Sequence, residues 1–153
     1  MKVLCIAIGN SLRGDDGVAH RVAERMEARD EVVACGVFQL TPEIAPEMAR
    51  AETVVFIDAD IDAREAAIEP VTTAGVRGAP LAHSMTPCEI VCLAERLYGF
   101  AGQAYLCRIP VESFDGEGLS DTAEAGANAA LALLRELLQE HPRCTGAATL
   151  KDL

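Results

Sequence analysis

The chain has 153 residues, half of them hydrophobic, and a formal net charge of −11 from 13 Lys plus Arg against 24 Asp plus Glu. That length suits one compact domain with a real core and is short for two, and the composition excludes a disordered or fibrous chain. The acidic balance, interrupted by no basic stripe, argues against a nucleic-acid partner and fits plain solubility, a basic partner segment or a cation.

The opening run Lys2 to Ile8 is short and apolar and stops at Gly9-Asn10, the pattern of a buried strand rather than a signal peptide. A polar, glycine-punctuated loop follows through Gly17. From Val18, apolar residues at Val18, Val22 and Met26, flanked by Ala19 and Ala23, predict a helix. Asp15 and Asp16 stand before it, where carboxylates suit the positive end of the helix dipole.

Glu31 to Val37 reads as a second strand. Thr41-Pro42 predicts an N-cap with proline at the first helical position, opening a short helix to about Ala51. Thr53 to Ile57 is a third buried strand ending at Asp58, and Ala66 to Thr72 a fourth, on an edge and antiparallel. After a Gly/Pro loop from Gly75 to Pro80, Thr86-Pro87-Cys88-Glu89 forms a capping box for a helix that stops at Gly99. Gln103 to Ile109 is the last strand, and Ser120-Asp121 caps a long amphipathic helix through about Glu140. Residues 1–142 then form one domain, with 143–153 a frayed tail. Strands alternating with helices predict an α/β three-layer sandwich with a mostly parallel five-stranded sheet.

No apolar run is long enough for a membrane span. With no export signal, the expected location is the cytoplasm, where the six cysteines stay reduced. Five of them, Cys5, Cys35, Cys88, Cys92 and Cys107, fall in apolar patterns and read as small core residues. The absence of a CxxC pair argues against structural zinc.

Ligands of open α/β sheets bind beyond the carboxyl ends of the strands. Polar residues stand there in three segments: Asn10 with Asp15 and Asp16 after the first strand, Asp58 after the third, and His83 before the capped helix. Two carboxylates and one imidazole make an oxygen and nitrogen donor set suited to nickel, zinc or ferrous iron. Each also has a plainer reading: helix cap, strand terminator, surface histidine. Asp60 and Asp62 extend the acidic run and read as a solvated loop. Cys88 and Cys92, four apart on one helical face, could act as soft ligands but read as core, and His20 and His141 as structural or solvent-facing. The first loop lacks the Lys and Ser/Thr of a Walker motif and the spacing of a dinucleotide fingerprint.

The run from Ala7 to Val18, Ala-Ile-Gly-Asn-Ser-Leu-Arg-Gly-Asp-Asp-Gly-Val, resembles the opening of the nickel–iron hydrogenase maturation endopeptidases. Val55-Phe56-Ile57-Asp58-Ala59 is similar to their second motif, and His83 with the helix after it to their third. The resemblance spans most of residues 1–140. It implies a twisted α/β sandwich that removes the C-terminal extension of a hydrogenase large-subunit precursor once nickel has been inserted. It further implies that Asp16, Asp58 and His83 contact the metal, supplied by the bound precursor. Where members carry a Gly-Thr turn after the second strand, this chain reads Gly36 to Pro42, which leaves substrate choice open.

The residues also allow other classes. A phosphoacceptor receiver uses a similar acidic set but needs a Lys after its last strand, and the only lysines are Lys2 and Lys151. A flavodoxin-shaped small-ligand or nucleotide binder would need phosphate-cradling chemistry that is missing. A related peptidase acting on another protein remains a third alternative. No Ser or Cys stands in a nucleophile motif.

Overall fold

The computed structural model describes residues 2–26, 30–74, 76 and 84–140. Five strands form one sheet in the order β2-β1-β3-β5-β4. They are β1 (Val3–Ile8), β2 (Val32–Val37), β3 (Thr53–Asp60), β4 (Ala67–Pro70) and β5 (Gln103–Pro110). All pairings are parallel except that of β4 with β5, which is antiparallel at the edge. Among the described residues four α-helices cover the sheet: α1 (Val18–Arg25), α2 (Ala45–Met48), α3 (Pro87–Tyr98) and α4 (Asp121–Glu140).

Alternation along the inner strands divides the core into two layers. Cys5, Ala7, Val55, Ile57, Cys107 and Ile109 face α1 and α4 through Val22, Ala127 and Leu134. Leu4, Ile6, Val54 and Phe56 face α2 and α3 through Met48, Ile90 and Ala94. The expected three-layer α/β sandwich is therefore present. Among the described residues, no helix is long and apolar enough to cross a membrane.

The α3 signals work as read. Thr86 accepts from the Glu89 N–H at 3.2 Å, Glu89 accepts from the Thr86 N–H at 2.7 Å, and Gly99 ends the helix in the left-handed conformation. Ser120 likewise accepts from the Ala123 N–H at 3.1 Å at the start of α4.

Two of the expected element bounds need correction. The helix predicted from Thr41 to Ala51 is a 3₁₀ turn (Pro42–Ile44) followed by a single α-turn, and Thr41 makes no side-chain cap. Its hydroxyl bonds the Glu43 carboxylate instead, holding that acid below its ordinary pKa. The third strand does not end at Asp58 but runs to Asp60, because β5 continues to pair with it through Asp58↔Arg108 and Asp60↔Pro110. The proposed tail at 143–153, His141, most of the Gly75 to Pro80 loop and His83 lie outside the described residues.

The order in which strands are added across the sheet reverses between β1 and β3, which themselves run parallel. The helix after β1 lies on one face and the helix after β2 on the other. The crevice beyond the carboxyl ends of β1 and β3 is thus a topological switch point, where α/β sheets bind their ligands.

Candidate functional site

Asp16 and Asp58 stand on the two sides of that crevice. Pairing of β3 with β1 stops at Ala7↔Ile57, so Asp58 lies just past the last β1 partner while β5 still supports its other side. Its side chain shares a face with Phe56 and Asp60.

The loop after β1 divides its two neighbouring acids sharply. Asp15 is buried, 2% exposed, in the 3₁₀ turn Gly14–Gly17. Its Oδ2 accepts from the backbone N–H groups of Glu112 (2.8 Å) and Ser113 (3.2 Å) and from the Ser120 hydroxyl (2.6 Å). Its Oδ1 accepts from the Ser120 N–H at 2.7 Å. Burial raises the pKa of this carboxyl, but the hydrogen bonds outweigh it and hold the acid below its ordinary value. Asp15 is therefore a structural clamp between the first loop and the loop before α4. Neither acid caps α1, which has no side-chain cap.

Asp16, half-buried, turns the other way. Its Oδ2 accepts from the Asn10 N–H at 2.9 Å, and among the described residues its Oδ1 takes no hydrogen bond. The loop closes tightly enough that a Cβ at Gly9 (φ 142°) would collide with the Asp16 carbonyl oxygen. The Gly9 carbonyl in turn accepts from His20 Nε2 at 2.7 Å.

Asp58 is pushed up to about 6, first by burial and further by the charges of Asp16 and Asp60, with only the Ala59 N–H opposing. The charge of Asp16 is thus felt at Asp58. Asp60 is otherwise engaged: Arg108 reaches its Oδ2 at 3.5 Å and Glu69 at 3.5 Å, and Asp60 Oδ1 accepts from the Asp62 N–H at 2.9 Å. Asp60 is thus an ion-paired strand residue, where a solvated loop was expected. No cationic side chain pairs with Asp16 or Asp58 among the described residues. Two carboxylates at one switch point, without a cationic partner among the described residues, are a fitting donor set for a hard or borderline cation.

Among the described residues no group of three metal-binding side chains occurs, and His83, the expected third ligand, is not among them. Two residues later, Met85 is buried and its N–H donates to the Leu40 carbonyl at 2.9 Å. Met85 belongs to the core layer on the Asp58 side of the sheet.

Buried thiols are poor nucleophiles and metal ligands. Burial pushes Cys5 and Cys107 up to about 12, and burial likewise raises Cys35. Cys92 is buried on α3, consistent with a core residue. Sequence reasoning placed Asn10 at this strand end without a role for it, and read His20 as structural or solvent-facing. The contribution of Asn10 is a backbone N–H and leaves no side-chain signal; His20 stands four residues after Asp16, a spacing that offered one.

Several solved structures superpose on nearly the whole chain. An endopeptidase from Escherichia coli matches with a TM-score of 0.70 at 21% identity, covering 93% of this chain and 94% of that one. The [NiFe] hydrogenase maturation protease HycI from Thermococcus kodakarensis matches with a TM-score of 0.68 at 20% identity, covering 90% and 92%. The hydrogenase 2 maturation peptidase from a Thaumarchaeota archaeon gives 0.67 at 24% identity, covering 91% and 99%. The fold is that of the hydrogenase maturation peptidases. No family model and no curated protein matches the sequence. In sequence, then, the chain is far from the hydrogenase maturation peptidases whose backbone it shares.

Proposed function

We propose that this chain is a hydrogenase maturation endopeptidase, cleaving the C-terminal extension from a nickel–iron hydrogenase large-subunit precursor after nickel insertion. The observation that carries this reading is the pair of uncompensated acids, Asp16 and Asp58, across the switch point of a sheet with the maturation-peptidase fold. Asp16, Asp58 and His83 would hold the precursor's nickel, a metal that is part of the substrate rather than a resident cofactor. When bound there, nickel supplies positive charge and Lewis acidity next to the scissile peptide.

The chain's own part is recognition and placement. Burial and the charges of Asp16 and Asp60 disfavour the ionised Asp58 until a cation offsets them, so the pair favours a metal-loaded precursor over an empty one. Water is the attacking group in this reading, since no nucleophile motif is present and the buried thiols stay protonated. The antiparallel edge strand β4 and the missing Lys after the last strand weigh against a receiver domain, whose sheet is parallel in the order 2-1-3-4-5. The expected location is the cytoplasm, where such precursors would be matured.

The test is cleavage of a purified nickel-loaded precursor, followed by mass spectrometry of the released C-terminal peptide. Wild type should release one peptide, and Asp16→Asn, Asp58→Asn and His83→Ala should each abolish release while remaining folded. Normal processing by all three variants would refute the site. Failure of wild type on several precursors would point to another protein substrate.

A further inference from the structure

One peptide unit connects α1 to the acid site. The Gly9–Asn10 peptide gives its carbonyl oxygen to His20 Nε2 at 2.7 Å and its N–H to Asp16 Oδ2 at 2.9 Å. A trans peptide is planar, and its C=O and N–H point in opposite directions. Fixing one end therefore fixes the other. The Gly9 N–H, part of the preceding peptide, is also held, donating to the Val37 carbonyl at 3.0 Å, so β2 anchors the chain where it enters the unit.

The imidazole has a built seat. His20, half-buried on α1, lies over Gly36 of β2, where a Cβ would stand 2.6 Å from Nδ1 and 2.8 Å from Cε1. Any side chain at position 36 would push the ring away from Gly9. Hydrogen bonds in series also polarise one another, so a donor at the Gly9 carbonyl strengthens the Asn10 N–H as a donor to the carboxylate.

We propose that His20 is a positioning residue for Asp16, acting through the Gly9–Asn10 peptide to hold Oδ2 and leave Oδ1 free for a cation. The proposal rests on the reading of Asp16 as a metal-contacting acid. It assigns His20 no contact with metal or substrate. Gly36 is its necessary counterpart, the residue that makes room for the ring. The effect belongs to the class of outer contacts that orient a metal ligand, whose loss costs about 10–100-fold in affinity.

The experiment follows two signals in the full chain: the amide proton of Asn10 by NMR, and cadmium affinity by titration calorimetry. His20→Phe keeps the ring and removes the donor. His20→Gln returns an amide N–H near the Nε2 position, whereas His20→Asn stops near Nδ1. In wild type the Asn10 amide should lie downfield, and Asp16→Asn should move it. In His20→Phe and His20→Asn it should move upfield and cadmium affinity should fall about 10-fold or more, with His20→Gln restoring most of both. If His20→Phe fails to fold, the Gln and Asn pair carries the comparison. An Asn10 amide and cadmium affinity unchanged in His20→Asn would overturn the proposal. Equal loss in Gln and Asn would also overturn it, since the donor would then not be what matters. If the Asn10 amide responds as described but wild type binds no cadmium, the positioning of Asp16 stands and the metal reading is what fails.

Discussion

Ser120 grips both carboxylate oxygens of Asp15, one with its backbone N–H at 2.7 Å and the other with its hydroxyl at 2.6 Å, across 105 residues of chain. The same hydroxyl accepts from the Ala123 N–H and so starts α4. One buried carboxylate thereby ties the site loop to the last helix and leaves the neighbouring Asp16 open to the crevice.

Asp15→Asn should destabilise the fold by about 3 kcal/mol, since an amide presents donors where the site supplies donors only. The folded pKa of Asp15 lies below its unfolded value, so its contribution is complete above the unfolded value and disappears as pH falls through the folded one. Wild type should therefore lose stability steeply below about pH 4, and the variant should lose part of that acid dependence. Urea melts between pH 2.5 and 7, chosen to span the ~3.9 reference value of an aspartate, check this. Equal stability of the two proteins at pH 7 would show that the clamp contributes nothing.

Asp58 carries the opposite sign. Its folded pKa, about 6, lies above the reference 3.8, so the protonated form is favoured by the fold. Stability on this account is complete below about pH 4 and is lost as pH rises through 6. The full shift corresponds to roughly 3 kcal/mol, reduced by the residue's partial contact with water to about 1–3 kcal/mol. Asp58→Asn should accordingly be more stable than wild type at pH 7.5, indistinguishable from it near pH 4 (roughly the unfolded pKa), and inactive in processing. A variant less stable at both pH values would mean that the carboxylate makes a favourable contact in the fold.

Leu12, 87% exposed in the loop after β1, and Phe38, 67% exposed just after β2, follow neighbouring strands on the crevice side. If the substrate is a polypeptide, these apolar side chains are natural contacts for it. Leu12→Ser and Phe38→Ser should each raise KM for the precursor about 10-fold, with kcat little changed, the pattern of lost uniform binding. Steady-state cleavage kinetics read the split. A drop in kcat with KM unchanged would instead implicate these residues in forming the site.

Much of the fold is legible in the sequence because its signals are local. Thr86, Glu89 and Gly99 define α3 through contacts within the helix and its ends, and the apolar run of β1 needs no distant partner to be read. Features set by distant partners are not legible in this way. Whether Asp15 or Asp16 faces the crevice depends on Ser120, more than 100 residues away. The length of β3 depends on β5, which draws Asp58 and Asp60 into the ladder although acidic residues are poor strand formers. At Thr41 two local options compete, and the Glu43 carboxylate takes the hydroxyl that a helix cap would have used. His20 reads as an ordinary helix residue until Gly36, on another strand, opens the space for its ring. For the candidate site, Asp16 and Asp58 lie at the switch point, while His83 lies outside the described residues.

The most direct measurement is an anomalous difference map from a crystal of the protein soaked in cadmium. A single strong peak should appear, contacted together by carboxylate oxygens of Asp16 and Asp58 and an imidazole nitrogen of His83. A peak held by other residues, or one bound by the two acids with the His83 ring turned away, would contradict the three-residue centre.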